Sequence, residues 1–265
     1  MNEIMDSSFL TSTATVTIKL FSKRKSFKYW FNRIFKKKIK IIIYGDSGVG
    51  KTQFIKTITG KDEKEPSRTR MTCHYDLILR TGRKVILIDT PGHKTNQIAR
   101  NSELDELTRG HIDGIINLVD YGYQDSSNLQ QHKDTVFKLG TSEVKPEFLN
   151  ENRKREIERS NEFINRITAS GKIKWIITVI NKADVWDKER ETVLEYYEIG
   201  EFRKIMEHLQ GTITQTICPF CSIIKPFCST EMVLTYSEMK KADDYENLLV
   251  NIEECIQNYH HDGKK

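Results

Sequence analysis

Eight consecutive residues combine glycine, lysine and a hydroxyl side chain in a spacing that suits phosphate binding. They fit the pattern G-x-x-x-x-G-K-[ST] as Gly45-Asp46-Ser47-Gly48-Val49-Gly50-Lys51-Thr52. Glycine lets the backbone wrap tightly enough for successive N–H groups to converge on phosphate oxygens. Lys51 is expected to reach the β- and γ-phosphates of a nucleotide, and the Thr52 hydroxyl to coordinate Mg²⁺. The sequence therefore predicts a phosphate-binding loop between a strand and a helix.

A carboxylate and a glycine follow a later apolar run, in the order Ile88-Asp89-Thr90-Pro91-Gly92. Asp89 ends a predicted strand, and its carboxylate is suited to hold Mg²⁺ through a water molecule, across from Thr52. The backbone N–H of Gly92 can contact a γ-phosphate without obstruction by a side chain. Because that contact depends on which nucleotide is bound, the segment is interpreted as a sensor of the γ-phosphate.

A third segment is suited to select the base. It reads Asn181-Lys182-Ala183-Asp184 and follows the apolar run KWIITVI. The Asp184 carboxylate can accept hydrogen bonds from the ring N–H and the exocyclic amine of guanine, whereas adenine would leave a buried charge unpaired. Lys182 can lay its aliphatic stem over the base, and Asn181 can tie the segment to the phosphate-binding loop. The segment predicts a preference for guanine.

In this order, GDSGVGKT, DTPG and NKAD resemble the first, third and fourth signature motifs of the P-loop GTPases. The resemblance covers roughly residues 38–258. It implies binding of GTP and GDP with Mg²⁺, slow hydrolysis of GTP, and two switch loops that report the γ-phosphate. DTPG followed by His93 is similar to the translation-factor class, whereas Thr69-Arg70 resembles the Era-like class, and the chain fits no single subfamily.

The resemblance also implies functional residues in the switch loops. The threonine that caps Mg²⁺ in the GTP state corresponds best to Thr69, twenty positions before Asp89, with Thr72 as the alternative. His93 stands where the family places a glutamine or histidine that orients the attacking water. The alternative for His93 is a surface side chain without a catalytic part. The predicted catalytic residues are Lys51, Thr69, Gly92 and His93. The predicted Mg²⁺ ligands are Thr52, Thr69 and Asp89.

The fifth family motif is a small turn beneath the guanine. Cys221-Ser222 occupies its expected place, with Ile223 at the partner position where the family has alanine, and Ser229 is the competitor. Cys218 and Cys221 form a C-x-x-C spacing near Cys228, and they are interpreted as buried thiols or, alternatively, as zinc ligands without a close fourth Cys or His. The predicted nucleotide-binding residues are Gly45, Asp46, Ser47, Gly48, Val49, Gly50, Lys51, Thr52, Asn181, Lys182, Asp184 and Ser222.

Strands and helices must alternate to position these motifs. Helical segments are predicted at QFIKTITG, residues 147–170, residues 199–210 and DDYENLLVNIEECIQNY. Strands are predicted at KIKIIIYG, TCHYDLIL, KVILID, DGIINLVDY, KWIITVIN and TITQTICPFCS. This order predicts an α/β fold of the P-loop NTPase type, with a mostly parallel sheet covered by helices on both faces. We assign it to residues 38–265, with an insertion around residues 121–170.

Composition excludes several classes of protein. The chain has 265 residues, of which 37% are hydrophobic and 30% are charged, as in soluble globular domains. No apolar run approaches the roughly 18–20 residues that a membrane span needs, and the N-terminus lacks a secretory pattern. Five cysteines, an odd number in a long chain, suit a reducing compartment. We therefore expect a cytoplasmic protein.

Basic charge is concentrated at the N-terminus. Residues 1–40 carry ten basic and two acidic side chains, so the remainder of this chain of net charge +5 is mildly acidic. A nucleic-acid-coating surface does not fit that distribution, and no DNA binding is expected. We treat residues 1–37 as an N-terminal basic extension. Within it, apolar and polar residues partly alternate over residues 12–21, as in a short strand.

Residues 22–37 have the spacing of an amphipathic helix. Five large apolar side chains share one predicted face, namely Phe27, Trp30, Phe31, Ile34 and Phe35. Three interpretations remain open for this segment. It docks on the GTPase domain or a partner, it makes a peripheral contact with an anionic membrane, or it contacts nucleic acid.

Together these features predict a GTP-binding protein that hydrolyses GTP to GDP and phosphate and acts as a molecular switch on an unidentified effector. One alternative is a GTP-dependent binding or scaffold module with little or no hydrolysis, which a measured turnover would exclude. Another is a ribosome- or RNA-associated assembly GTPase. The acidic charge of the main body argues against that alternative, and co-purifying RNA would favour it.

Overall fold

A single sheet lies at the centre of the computed structural model, which describes residues 38–61, 72–90, 110, 112–124, 133–170, 173–207, 213–229 and 235–262. Its strands are β1 (Ile39–Tyr44), β2 (Cys73–Ile78), β3 (Lys84–Asp89), β4 (Gly114–Val119), β5 (Trp175–Ile180) and β6 (Thr214–Pro219). They lie in the order β2-β3-β1-β4-β5-β6. Only the β2–β3 pairing is antiparallel in this sheet. The carboxyl ends of β1, β3, β4, β5 and β6 therefore meet at one edge.

The apolar runs of the sequence become the inner strands. Every residue of β4 and of β5 is buried, as expected for parallel strands that are covered on both faces. The edge strand β2 is largely exposed, and its neighbour β3 is mostly buried. Burial thus follows the hydrophobicity of each run.

Helices connect the strands. Their bounds are α1 (Lys51–Thr59), α2 (Lys133–Val136), α3 (Pro146–Ser170), α4 (Ala183–Trp186), α5 (Arg190–Glu198), α6 (Glu201–Glu207) and α7 (Glu238–Asp262). Two 3-10 turns, Asp187–Glu189 and Phe227–Ser229, lie between them. No helix in the described part of the chain is long and apolar enough to cross a membrane.

The hydrophobic core has two layers, one on each face of the sheet. On one face, Phe54 of α1 and Leu248 of α7 pack with apolar residues of the strands. On the other face, Phe163 of α3, Val193 of α5 and Phe202 of α6 do the same. Helices cover both faces of a mostly parallel sheet, so the predicted α/β fold is confirmed.

Most predicted elements are present with small shifts in their ends. All six predicted strands form, α3 begins one residue before the predicted 147–170, and α7 extends beyond the predicted terminal helix at both ends. Between residues 121 and 146 the sequence shows no strong hydrophobic periodicity. The described residues of this range include α2 and an isolated β-bridge between Phe137 and Val144. The predicted strand at 12–21 and helix at 22–37 lie outside the described residues.

Candidate nucleotide-binding site

The predicted phosphate-binding loop connects the end of β1 to the start of α1. Gly48 and Gly50 have φ angles of 87° and 90°, in the left-handed region that favours glycine. Gly50 precedes the first residue of α1, and no side chain caps this helix start. The first N–H groups of a helix have no partner within the helix, and its dipole favours an anion at that end. The loop therefore has the backbone geometry of a phosphate cradle.

Lys51 brings a buried positive charge into the loop. The residue is 8% exposed. Its Nζ donates to the carbonyl oxygens of Gly45 at 2.8 Å and Asp46 at 2.9 Å. The ammonium group is thus held at the start of the loop by backbone acceptors, where it can meet a phosphate anion.

Asn181 joins three segments that are distant in sequence. Its Nδ2 donates to the Val49 carbonyl at 2.8 Å. Its Oδ1 accepts from the N–H of Ser222 at 3.2 Å and from the Ser222 hydroxyl at 2.9 Å. The Ser222 carbonyl in turn accepts from the hydroxyl of Thr57, on α1, at 2.9 Å. The phosphate-binding loop, the segment after β5 and the turn after β6 therefore meet around one amide side chain.

Lys182 adds a second link to the phosphate-binding loop. Its Nζ donates to the Gly48 carbonyl at 2.8 Å, to Oδ2 of Asp120 at 2.9 Å and to the Tyr123 carbonyl. Its φ of 61° is uncommon for a residue other than glycine, and these three bonds hold the residue in place. Burial raises the pKa of Asp120, and the ion pair with Lys182 partly offsets that rise.

Sequence reasoning missed Asp120. It directly follows β4 and is fully buried. The available signal was its position, because side chains just beyond the carboxyl ends of parallel strands converge at the ligand-binding edge of such sheets.

Asp184 lies close to the turn after β6. Its Oδ1 accepts from the Cys221 thiol at 3.4 Å, and its Oδ2 accepts from the N–H of Lys225 at 2.9 Å. Burial raises the pKa of Asp184, and these two donors partly offset the rise. An ionised carboxylate has about four acceptor positions, so two bonds from the chain leave capacity for the two donors of guanine.

Two of the three predicted Mg²⁺ ligands, Asp89 and Thr52, lie at the same edge of the sheet. Asp89 ends β3 and is fully buried, in register with Ile43 of β1. Thr52 is the second residue of α1 and is half-buried. Oxygen donors of this kind suit Mg²⁺, which usually takes only one or two protein ligands beside phosphate oxygens and water. Their assignment to Mg²⁺ stays a prediction. Thr72 directly precedes β2, whereas Thr69, Gly92 and His93 lie outside the described residues.

The five cysteines are free thiols, with Cys73 exposed and the other four buried. Burial is the main cause that raises the pKa of Cys218 to about 12. Among the described residues, no group of three or more His, Cys, Asp or Glu side chains is arranged to hold a metal ion.

Of the two serines considered for the turn beneath the guanine, Ser229 lies in the second 3-10 turn, whereas Ser222 contacts Asn181. The role of Ser222 at the nucleotide stays a prediction.

Substitution of Gly50 by alanine is expected to weaken nucleotide binding by about tenfold or more. A Cβ at this position would lie 2.7 Å from Nδ2 of Asn181, and the residue has a left-handed φ. The substitution would strain the loop by about 1 kcal/mol or more and displace the Asn181 amide from Val49. Titration with GDP checks the prediction. Gly60→Ala is the control, because Gly60 is also left-handed but has open space around its Cβ position. Equal GDP affinities for the two variants would contradict it.

The phosphate-binding loop is joined to residues 181–184, the guanine-type motif, on a mostly parallel sheet with helices on both faces. This combination defines a P-loop GTPase domain. The chain belongs to the family described as 50S ribosome-binding GTPase, whose model matches residues 40–182, more than half of the chain.

One solved structure supports this fold. The chain is similar to a bacterial selenocysteine-specific elongation factor, EF-Sec, with 16% identity and a TM-score of 0.51 over 84% of this chain and 29% of that one. A GTP-binding protein of Sulfolobus solfataricus in complex with GDP is 20% identical over 91% of this chain and 61% of that one, with a TM-score of 0.44. The chain thus spans less than two thirds of either protein. No curated protein matches the chain.

Proposed function

We propose that the protein binds GTP and hydrolyses it to GDP and phosphate, and that the bound nucleotide controls contact with an effector. The observation that carries the proposal is the pair of side-chain links between the two motifs. Asn181 bonds to Val49 and Lys182 bonds to Gly48, so the guanine-type motif is in direct contact with the phosphate-binding loop. A nucleotide bound across the two would place its base at the first and its phosphates at the second.

The proposed binding roles follow from charge and hydrogen-bonding capacity. Lys51 contacts the β- and γ-phosphates, because its ammonium group is already held in the loop. Asp184 accepts the two guanine donors, and Asn181 and Ser222 hold the base-binding segments together. Thr52 and Asp89 hold Mg²⁺, directly or through water. Bound Mg²⁺ neutralises charge on the phosphate oxygens.

The proposed hydrolytic roles belong to the switch segments. His93 orients the attacking water, while Thr69 and Gly92 contact the γ-phosphate only in the GTP state. Loss of that phosphate removes both contacts, which gives the two nucleotide states different surfaces for an effector. Family membership supports these roles.

Single-turnover phosphate release from GTP tests this proposal. The wild type is expected to release phosphate slowly. His93→Ala is expected to lower the rate by about 100-fold, the size of effect expected when a catalytic group of this kind is lost. GDP affinity is expected to change little. His74→Ala is a control of the same residue type, because His74 is exposed on β2.

Unchanged phosphate release in His93→Ala would remove His93 from the mechanism. Tight binding of GTP with no phosphate release by the wild type would identify the GTP-dependent binding module instead. Co-purification of ribosomes or RNA with the GTP-bound protein would favour the assembly-factor alternative, and the family description makes this worth measuring.

A further inference from the structure

A buried carboxylic acid contacts the loop that follows β4. Glu156 projects from α3, which belongs to the predicted insertion, and is 3% exposed. Its Oε2 accepts the backbone N–H of Asp120 at 3.1 Å. None of the sequence motifs includes this residue.

Other side chains from the same face of the fold hold the same loop. The Tyr197 hydroxyl, on α5, donates to Oε1 of Glu156 and accepts the N–H of Tyr121 at 3.0 Å. Nδ2 of Asn152, on α3, donates to the Gly122 carbonyl at 2.7 Å. Three successive residues of the loop therefore have their backbone fixed by side chains of two helices.

The side chain of Asp120 connects this loop to the nucleotide-binding segments. The Asp120 carboxylate pairs with Lys182, and the Lys182 ammonium also bonds to Gly48 in the phosphate-binding loop. A continuous series of hydrogen bonds thus leads from Glu156 through Asp120 and Lys182 to the phosphate-binding loop.

We propose that Glu156 is a positioning residue for guanine-nucleotide binding, which fixes the backbone of Asp120 so that its carboxylate holds Lys182 against the phosphate-binding loop. The inference rests on the proposed function. An apolar side chain would fill the same space without the cost of burying a carboxyl group. It would also leave the N–H of Asp120 without this acceptor.

The charge state of Glu156 provides a second, pH-dependent test of the inference. The pKa of Glu156 is raised to about 8, mainly by burial and next by the nearby Asp120 carboxylate. The charged or titratable groups around it are Asp120, Tyr197, Tyr196 and Arg153, with Lys182 beyond Asp120. Its neutral form is therefore favoured well above the pH at which an ordinary glutamate ionises. Ionisation at still higher pH places a second negative charge beside Asp120, which opposes the arrangement that holds Lys182.

The test is the dissociation rate of GDP that carries an N-methylanthraniloyl fluorophore, measured with the full chain. Glu156→Leu is expected to release it about tenfold faster at pH 7, the scale of one lost buried hydrogen bond. Glu156→Gln keeps an acceptor and a neutral side chain, so it is expected to stay near the wild-type rate at pH 7. Between pH 7 and 9 the wild type is expected to release the nucleotide progressively faster, and Glu156→Gln to lack that part of the change.

Two variants on the same helix separate positioning from stability. Ile164 is buried in the core, and Ile164→Val is expected to lower the melting temperature without faster release. Glu158 is exposed, and Glu158→Gln is expected to match the wild type in both measurements. Tyr197→Phe removes the hydroxyl between Glu156 and Tyr121, and it provides a second perturbation of the loop if Glu156→Leu does not fold.

Equal release rates for Glu156→Leu, Tyr197→Phe and the wild type would overturn the inference, as would identical pH profiles for Glu156→Gln and the wild type. So would equally fast release from Ile164→Val, because the effect would then follow stability. If the wild type binds no GDP, the proposed function fails and the inference fails with it. Binding by the wild type without these differences rejects the inference alone.

Discussion

Substitution of Lys51 by alanine is expected to weaken GTP binding by about 100- to 1000-fold. The Lys51 ammonium is buried and bonded to the carbonyls of Gly45 and Asp46. Its removal leaves the phosphates without their nearest positive charge, a loss of about 3 to 4 kcal/mol for a buried charge-assisted contact. Isothermal titration with GTP in the presence of Mg²⁺ measures the effect directly.

Lys61→Ala is the matched control for this experiment. Lys61 is also a lysine near α1, but it is exposed and lies over the ring of Tyr75, outside the loop. We expect its GTP affinity to equal that of the wild type. A folded Lys51→Ala protein with wild-type affinity would show that residues 45–52 are not the phosphate-binding site.

Substitution of Asp184 by asparagine is expected to exchange guanine specificity for xanthine specificity. Guanine donates two hydrogen bonds on this edge, whereas xanthine replaces the exocyclic amine with an oxygen that can accept from an amide N–H. Asp184→Asn loses an acceptor and gains a donor with nearly the same shape. We expect GDP affinity to fall by about 100-fold or more and xanthosine diphosphate to become the better ligand.

The control for this exchange is Asp187→Asn. Asp187 is also buried, but it pairs with Arg190 and Lys240, in a separate ion cluster. Its substitution is expected to lower thermal stability and leave the ratio of the two affinities unchanged. An Asp184→Asn protein that still prefers GDP, measured by competition between the two diphosphates, would contradict the assignment of Asp184 to the base.

The fold could be predicted because its determining signals are local. Each inner strand is a short apolar run, and three of the four, β1, β3 and β5, lead directly into the glycine, carboxylate or amide of a motif. The helices α4 and α5, between Ala183 and Glu198, were missed because α4 is only four residues long and the apolar side chains of α5 form a weak pattern. A short helix gains its stability from packing, which a local pattern does not record.

The side chains that hold the loop after β4 in place could not be predicted in the same way. The bond from Asp120 to Glu156 joins residues 36 positions apart, and the bond from Tyr121 to Tyr197 joins residues 76 positions apart. A glutamate in a charged helix and a tyrosine in a short one have no local feature that marks them as buried partners. Their pairing follows from how α3 and α5 pack on the sheet, which is a tertiary property.

The most direct test of the central claim is a comparison of GDP and ADP binding to the wild-type chain in Mg²⁺, by isothermal titration calorimetry. The two nucleotides share their phosphates and ribose, so a difference in affinity reports on the base alone. With Asp184 as the acceptor of guanine, GDP is predicted to bind at least about 100-fold more tightly than ADP. Equal affinities, or tighter binding of ADP, would contradict the account of this chain as a guanine-nucleotide-binding protein.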